Sequence, residues 1–404
     1  MNLRDWQQKA TDFYLKHNNC IFSVATGSGK TYLAINLIKE LQKIKKDLKV
    51  LIVTPKNVIS ERTWLPELHE YGFPINKVGL INEFAKEINE ITLISIQSLK
   101  IKITEEGGVV KEIDDLNNEK YITPSKFYNF FDLVIFDEVH NYASYSYKDI
   151  ILIEKKYKMG LSATIKREDM RHIYIEKAFN YNTFNYDIEQ ALKDGILNPF
   201  DFKNIILPID NNTLKEYTEL TQSINNTIRI NNGIKDNNYL KKLLNKRKQL
   251  IYNYPMKKEI VKEIIQNNPD SKILVFNQYN KIGTELYWEL FDIGAKADII
   301  NSVISKERQA NIFKDFENGD INVLLATTML DEGYNLPKID IAILMASNST
   351  DKQFFQRMGR VLRKKEINSQ VYYLTVAETF EVDNLNKKLK LIKKICNSYK
   401  EVQI

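Results

Sequence analysis

Two cysteines and four histidines are all that 404 residues offer to thiolate or imidazole chemistry. Cys20 and Cys396 stand near opposite ends of the sequence, which excludes a disulfide framework and a cysteine-based zinc cluster. The scattered histidines add no metal-ligand spacing. No apolar stretch approaches the roughly 18 residues that a membrane span requires, and the opening MNLRDWQQ lacks the apolar core of a signal peptide. A soluble intracellular protein with no membrane partner is expected, cytoplasmic, or in the host cell if the chain is viral. Hydrophobic residues at 43% and charged residues at 27% fit an ordinary globular protein. The length allows two domains, each with its own core.

The excess of positive charge is small, +6 over the whole chain, and concentrated. Between Lys241 and Lys272 nine basic residues face three acidic ones (Glu259, Glu263 and Asp270), so this segment alone carries the full excess. Such a segment is the electrostatic footprint of a protein that tracks a phosphate backbone, or else a solvated helix surface.

Apolar runs alternate with helical spacing along both halves. Residues 21–24, 50–53, 92–96, 133–136 and 159–161 read as buried strands of a first lobe. Residues 273–276, 299–300, 323–326, 341–345 and 371–374 repeat the scheme in a second. The predicted class is α/β, two tandem lobes, each a mostly parallel sheet covered by helices. The expected domains are residues 1–190, a connecting segment with a basic helical insert over 191–268, and residues 269–404. Residues 101–110 alternate and then turn at Gly107 and Gly108, predicting a β-hairpin within an insertion at 101–129. Such a hairpin serves as a wedge, as a docking element or, more commonly, as surface decoration.

Three separated motifs carry the chemistry. In ATGSGKT, residues 25–31, an apolar strand leads into glycines and then into a helix patterned by Leu33, Leu37, Ile38 and Leu41. Gly27 and Gly29 let backbone N–H groups curl around phosphate oxygens at a helix N-terminus. Thr26 and Ser28 belong to the same cradle, Lys30 would reach the β and γ phosphates, and Thr31 would hold magnesium through its hydroxyl. Val24 stands where a strict P-loop has its first glycine, and an ordinary Gly/Ser turn before a helix is the competing reading. In the second motif, residues 133–136 deliver Asp137 and Glu138 at the carboxyl end of a buried strand, where ligands of such sheets bind. Asp137 is placed to hold magnesium and Glu138 to polarise the attacking water. The third motif, QRMGRVLR at 356–363, sets Arg360 and Arg363 three apart on a predicted helix. Both are candidates to stabilise charge on a γ-phosphoryl group, a contribution of roughly 10³-fold or more in rate. In this order and spacing the three motifs point to a motor ATPase using ATP and magnesium.

These residues resemble the superfamily 2 helicases and translocases of the DExH type over nearly the whole chain. The resemblance implies two RecA-like lobes with ATP between them, closing on binding and opening on hydrolysis. It implies that Arg4 and Gln7 recognise adenine. It assigns nucleic-acid contacts to Thr54 and Pro55 in VTPK, to Ser95, Gln97 and Ser98 in SIQS, and to Asn277 and Gln278 in VFNQ. Thr327 in ATTMLDEGYNLP would touch the backbone, and Gly333 would approach the nucleotide. Asn335 stands at a ribose-contacting position where many relatives have aspartate. Gln356, Arg360 and Arg363 match the sixth motif, Arg357 taking a structural or coupling part. His140, Ser162 and Thr164 match residues that couple ATP state to lobe closure. The branch most resembled is the XPB-like and UvsW-like DNA branch, through ALKDGILNPF at 191–200. It implies 3′ to 5′ movement on DNA, with unwinding or remodelling of duplex or branched substrates. No added damage-recognition or nuclease domain is visible, so a partner protein is a candidate for targeting. An RNA helicase, the motor subunit of a restriction or defence complex, and an inactive nucleic-acid-binding scaffold remain alternatives.

Overall fold

In a computed structural model, the structure describes residues 3–105, 110–113, 119–122, 126–144, 146–167, 169–230, 238–301, 303–327, 338–346, 354 and 368–404. The chain forms two compact units that divide between Asp194 and Gly195.

The first unit is built on seven parallel strands. These are β1 (Asn19–Val24), β2 (Val50–Thr54), β3 (Val78–Ile81), β4 (Ile91–Ser95), β7 (Leu133–Phe136), β8 (Tyr157–Ser162) and β9 (Thr183–Tyr186), while β5 (Val110–Ile113) and β6 (Glu119–Ile122) form a separate antiparallel pair. The order across the sheet is β3-β4-β2-β7-β8-β1-β9. Every residue of β2, β4, β7 and β8 is buried, as strands covered on both faces must be. Their near-continuous apolar runs follow from that burial. The helix Lys30–Ile44 lays Leu33, Leu37, Ile38 and Leu41 against the sheet, the helical spacing read from the sequence.

The second unit repeats the design with β10 (Phe200–Leu207), β11 (Ile273–Phe276), β12 (Ala297–Ile300), β13 (Val323–Ala326), β14 (Ile341–Leu344), β15 (Ser369–Val376) and β16 (Ser398–Gln403). All pair in parallel, in the order β12-β13-β11-β14-β15-β10-β16. The helices Asn211–Ile230, Asn238–Tyr252 and Pro255–Gln266 follow β10.

Three readings change. The segment read as a connector over 191–268 contains β10, which pairs with β15 over its whole length, so a strand of the second sheet opens that segment. The hairpin expected over 101–110 is displaced. Residues 96–105 are helical, because Ile96 and Leu99 bury one helical face in the core beneath, and that anchoring overrides the local alternation. The antiparallel pair comes later, as β5 and β6, and Gly107 and Gly108 lie outside the described residues. The basic segment is matched by acids, most of them from outside it. Lys246 pairs with Glu216, Lys258 with Glu285 and Glu289, and Lys262 with Glu259 and Glu289. Arg247 lies over the rings of Tyr217 and Phe380. Much of the segment's charge is therefore engaged within the unit.

Lys257 goes furthest, being fully buried with Glu381. Its Nζ donates to both Glu381 oxygens at 2.7 and 2.8 Å and to the Met345 carbonyl at 2.7 Å. The Val376 N–H donates to Glu381 Oε2 at 3.1 Å. Burial pushes the lysine down and the carboxyl up, and their direct contact opposes both shifts. The pair joins the helix Pro255–Gln266 to the helix Phe380–Ile395 and to the ends of β14 and β15. Breaking one side leaves a buried charge alone, whereas replacing both leaves none. Lys257→Met should therefore lower the unfolding free energy of the second unit by about 3–5 kcal/mol, and Lys257→Met with Glu381→Leu should recover most of that loss, as read from urea unfolding curves.

Candidate active site

The loop between β1 and the helix Lys30–Ile44 is formed by two glycines in the left-handed region, Gly27 at φ 84° and Gly29 at φ 98°. Only glycine adopts these angles without strain. The hydroxyls of Thr26 and Ser28 and the Nζ of Lys30 are buried, with no hydrogen-bond partner among the described residues. Orphaned buried donors are costly. Gathered at the N-terminus of a 15-residue helix, they fit the oxygens of a phosphate chain. Thr31 follows as the second residue of that helix.

Arg4 and Gln7 brace this loop from the helix Asp5–His17. Arg4 Nη1 donates to the Ser28 carbonyl at 3.0 Å, and Gln7 Nε2 to the Gly29 carbonyl at 3.3 Å. Gln7 Oε1 also accepts from the Arg4 N–H at 3.1 Å, which ties its side chain to the start of the helix. A Cβ on Gly29 would stand 3.2 Å from Gln7 Nε2. The two residues expected to face adenine thus also set the loop's shape.

The order β7-β8-β1 brings three carboxyl ends side by side. β7 delivers Asp137 and Glu138, β8 delivers Ser162, and β1 delivers the glycine loop. Glu138 has φ 46°, a left-handed conformation uncommon for a non-glycine residue. Its Oε1 lies 3.6 Å from Lys30 Nζ and its Oε2 lies 3.2 Å from His140 Nδ1. His140 Nδ1 is also 2.8 Å from Ser162 Oγ. Ser162 donates its own proton to the Thr164 carbonyl at 2.8 Å, so its oxygen accepts from His140, which fixes the Nδ1–H tautomer. A continuous polar chain results, from Lys30 through Glu138 and His140 to Ser162 and Thr164.

Asp137 sits at the floor. Its Oδ1 accepts from the Glu138 N–H at 2.9 Å and its Oδ2 from the indole N–H of Trp64 at 2.9 Å. Burial and the neighbouring Glu138 charge raise its pKa to about 6. Asp137 and the Thr31 hydroxyl are oxygen groups of the kind that could hold a magnesium ion. Trp64 was missed in the sequence, where nothing in SERTW marks its indole as a partner of Asp137.

Of the expected nucleic-acid contacts, Gln97 is exposed and Ser98 and Gln278 are partly exposed. Thr54, Ser95, Asn277 and Thr327 are buried at the ends of their strands. The Thr54 hydroxyl is 2.7 Å from Ser60 Oγ and 3.0 Å from the Lys56 carbonyl that accepts its proton. Ser95 Oγ lies 3.0 Å from Ser98 Oγ. These hydroxyls close turns and shape the loops at the strand ends. Pro55 is likewise buried. Gly333, Asn335, Gln356, Arg357, Arg360 and Arg363 lie outside the described residues.

Two family models match. Residues 1–167 match "Type III restriction enzyme, res subunit" and residues 256–365 match "Helicase conserved C-terminal domain", together more than half of the chain. The chain belongs to the superfamily 2 helicases, in the XPB-like branch. A curated relative of this helicase, "DNA 3'-5' translocase XPB2" of Sulfurisphaera tokodaii, is 26% identical over 91% of the chain and 80% of the relative. "DNA 3'-5' helicase XPB" of Mycobacterium tuberculosis is 23% identical over 93% of the chain, which spans 60% of that protein's length. Among solved structures, the helicase domain of Pyrococcus furiosus Hef aligns with a TM-score of 0.61 at 16% identity, covering 96% of this helicase and 98% of that chain. Dbp5 of Saccharomyces cerevisiae, bound to RNA, gives the same TM-score at 14% identity, covering 98% and 88%. These two show the fold: tandem RecA-like α/β lobes.

The brace on the glycine loop gives a direct test. Gln7→Ala removes one bond to the Gly29 carbonyl and one to the Arg4 N–H, each worth about 1 kcal/mol. Titration with a fluorescent ATP analogue should show affinity weakened about five- to thirtyfold, with the far-ultraviolet circular dichroism unchanged.

Proposed function

We propose that this helicase is an ATP- and magnesium-dependent DNA motor that moves 3′ to 5′ along one strand and unwinds or remodels duplex or branched DNA. The observation that carries the reading is the meeting of Lys30 and Glu138 at 3.6 Å, with Asp137 beside them and orphaned hydroxyls lining the loop. The names of the XPB relatives support DNA as the track and 3′ to 5′ as the direction. The likeness to an RNA-bound protein concerns the fold alone.

In this reading the loop N–H groups with Thr26, Ser28 and Lys30 bind the phosphates, and Arg4 and Gln7 hold the loop and the base. Thr31 and Asp137 hold magnesium, which when bound offsets phosphate charge and orients the γ-phosphoryl group. Glu138 takes up and positions the attacking water, held between Lys30 and His140 until nucleotide draws Lys30 away. His140 then passes the state of Glu138 to Ser162 and Thr164 at the end of β8. Arg360 and Arg363 contribute positive charge toward the γ-phosphoryl group, and Gln356 a neutral amide beside them. Gly333 and Asn335 approach the nucleotide. Gln97, Ser98 and Gln278 offer polar groups to the DNA backbone, which gives affinity without sequence readout. A partner protein for targeting belongs to the same proposal. No helix among the described residues is long and apolar enough to cross a membrane, and the site of action is taken to be intracellular DNA.

ATP hydrolysis should be stimulated by single-stranded DNA more than by RNA and should fall at least a hundredfold in Glu138→Gln, since removing the group that positions the reacting water forfeits roughly 10²-fold or more. Partial duplexes with a 3′ tail should be separated and those with a 5′ tail left intact, and the reverse preference would overturn the direction. Copurification with a nuclease, coupled to movement without strand separation, would favour a restriction motor instead.

A further inference from the structure

Trp64 is wholly buried, yet its one polar atom meets a carboxylate of the candidate active site. It ends a five-residue π-helical turn, Ser60–Trp64, between two α-helical stretches, a form that is rare and frequent at functional sites. The turn is held at both ends. At its start Ser60 Oγ is 2.7 Å from Thr54 Oγ1, the last residue of β2. At its finish the indole reaches Asp137 Oδ2 at 2.9 Å. β2 and β7 are neighbours in the sheet, and the Asp137 N–H donates to the Val53 carbonyl at 2.8 Å. The chain thus leaves the sheet beside Asp137 at the end of β2, runs through a short helical stretch and the π-helical turn, and meets the same carboxylate again at Trp64.

Simple satisfaction of a buried indole does not account for this arrangement. Trp6 is also buried, stacked at 4.6 Å on Tyr186, and its Nε1 makes no hydrogen bond among the described residues. A tryptophan in this unit can therefore be buried without an acceptor. Trp64 instead reaches a carboxylate whose other oxygen is already fixed by the Glu138 N–H. With one donor on each oxygen, the carboxylate plane is set and one lone pair on each oxygen stays open. The indole is a donor only, so it neither competes for a cation nor takes a proton.

We propose that Trp64 is a positioning residue for the nucleotide site: its indole N–H fixes the Asp137 carboxylate in the orientation that receives the magnesium of a bound nucleotide. The inference rests on the reading of the site given above. It assigns the segment after β2 a part in ATP chemistry, as the support of a carboxylate it does not itself carry. Carboxylate oxygens oriented by outer partners bind metal tenfold or more tightly than unsupported ones.

The test uses the full chain with Trp64→Phe and, separately, with a benzothienyl analogue of tryptophan at position 64, which keeps the shape and replaces the N–H by sulfur. The readout is the magnesium midpoint for protection by ADP against thermal unfolding, with ADP affinity in EDTA measured alongside. Both forms should need about tenfold more magnesium, bind ADP in EDTA as the unmodified protein does, and regain ATP hydrolysis at saturating magnesium. An unchanged midpoint in both overturns the proposal. A shift in Trp64→Phe alone overturns it too, because volume rather than the N–H would then be responsible. If the unmodified protein itself shows no magnesium-dependent protection, the nucleotide-site reading fails and this inference falls with it.

Discussion

Asp137 and Glu138 are adjacent carboxylates at the end of a strand buried on both faces, and much of the first unit's polar architecture answers that juxtaposition. Two like charges side by side and largely shielded from water repel and are poorly solvated, so each needs its own partners. Asp137 receives two N–H donors, one from the backbone and one from Trp64. Glu138 receives Lys30 on one oxygen and His140 on the other. The left-handed turn at Glu138 separates the two side chains, one facing the floor and the other facing the glycine loop. Backbone strain of this kind is tolerated where surrounding contacts over-determine it, as four partners do here.

The same compensation explains the geometry of the loop. Lys30 is drawn toward Glu138 without reaching hydrogen-bond distance, and the hydroxyls of Thr26 and Ser28 find no acceptor among the described residues. The first helix supplies the restraint that such a loop lacks by itself, through Arg4 and Gln7 on two successive carbonyls. A cradle of unsatisfied donors is thereby kept open rather than collapsing onto the nearby acids. Polar groups that would be a liability in a core become binding energy for an anion.

Much of this was readable in the sequence, and the misses have physical causes. Residues 133–136 and 273–276 were legible to the residue because a strand buried on both faces is uniformly apolar. Edge and half-covered strands were not. β16, SYKEVQ, keeps most of its side chains in water, and β10, FDFKNIIL, mixes polar and apolar residues. Their place is set by pairing with partners far along the chain. The glycine loop and the acidic pair were legible because their chemistry demands particular residue types at particular spacing. The burial of Thr54 and Asn277 was not legible, because polar residues at strand ends carry no apolar pattern that marks them as inside. The basic segment looked like a free surface because most of its acids, Glu216, Glu285, Glu289 and Glu381, lie outside it and far apart in the sequence.

The pairing of β10 with β16 bears on how the second unit withstands load. The two strands run parallel, with Asp201–Ile206 aligned residue for residue to Ser398–Gln403. A tension applied between Gly195 and Gln403 would therefore pull on opposite ends of this ladder. All of its hydrogen bonds would be sheared together, and none could be peeled open singly. Beyond β10, the ladder to β15 continues the same geometry over eight residues. In a protein proposed to exert force on a polymer, the strands nearest the point of attachment are thus in the arrangement that resists stretching best.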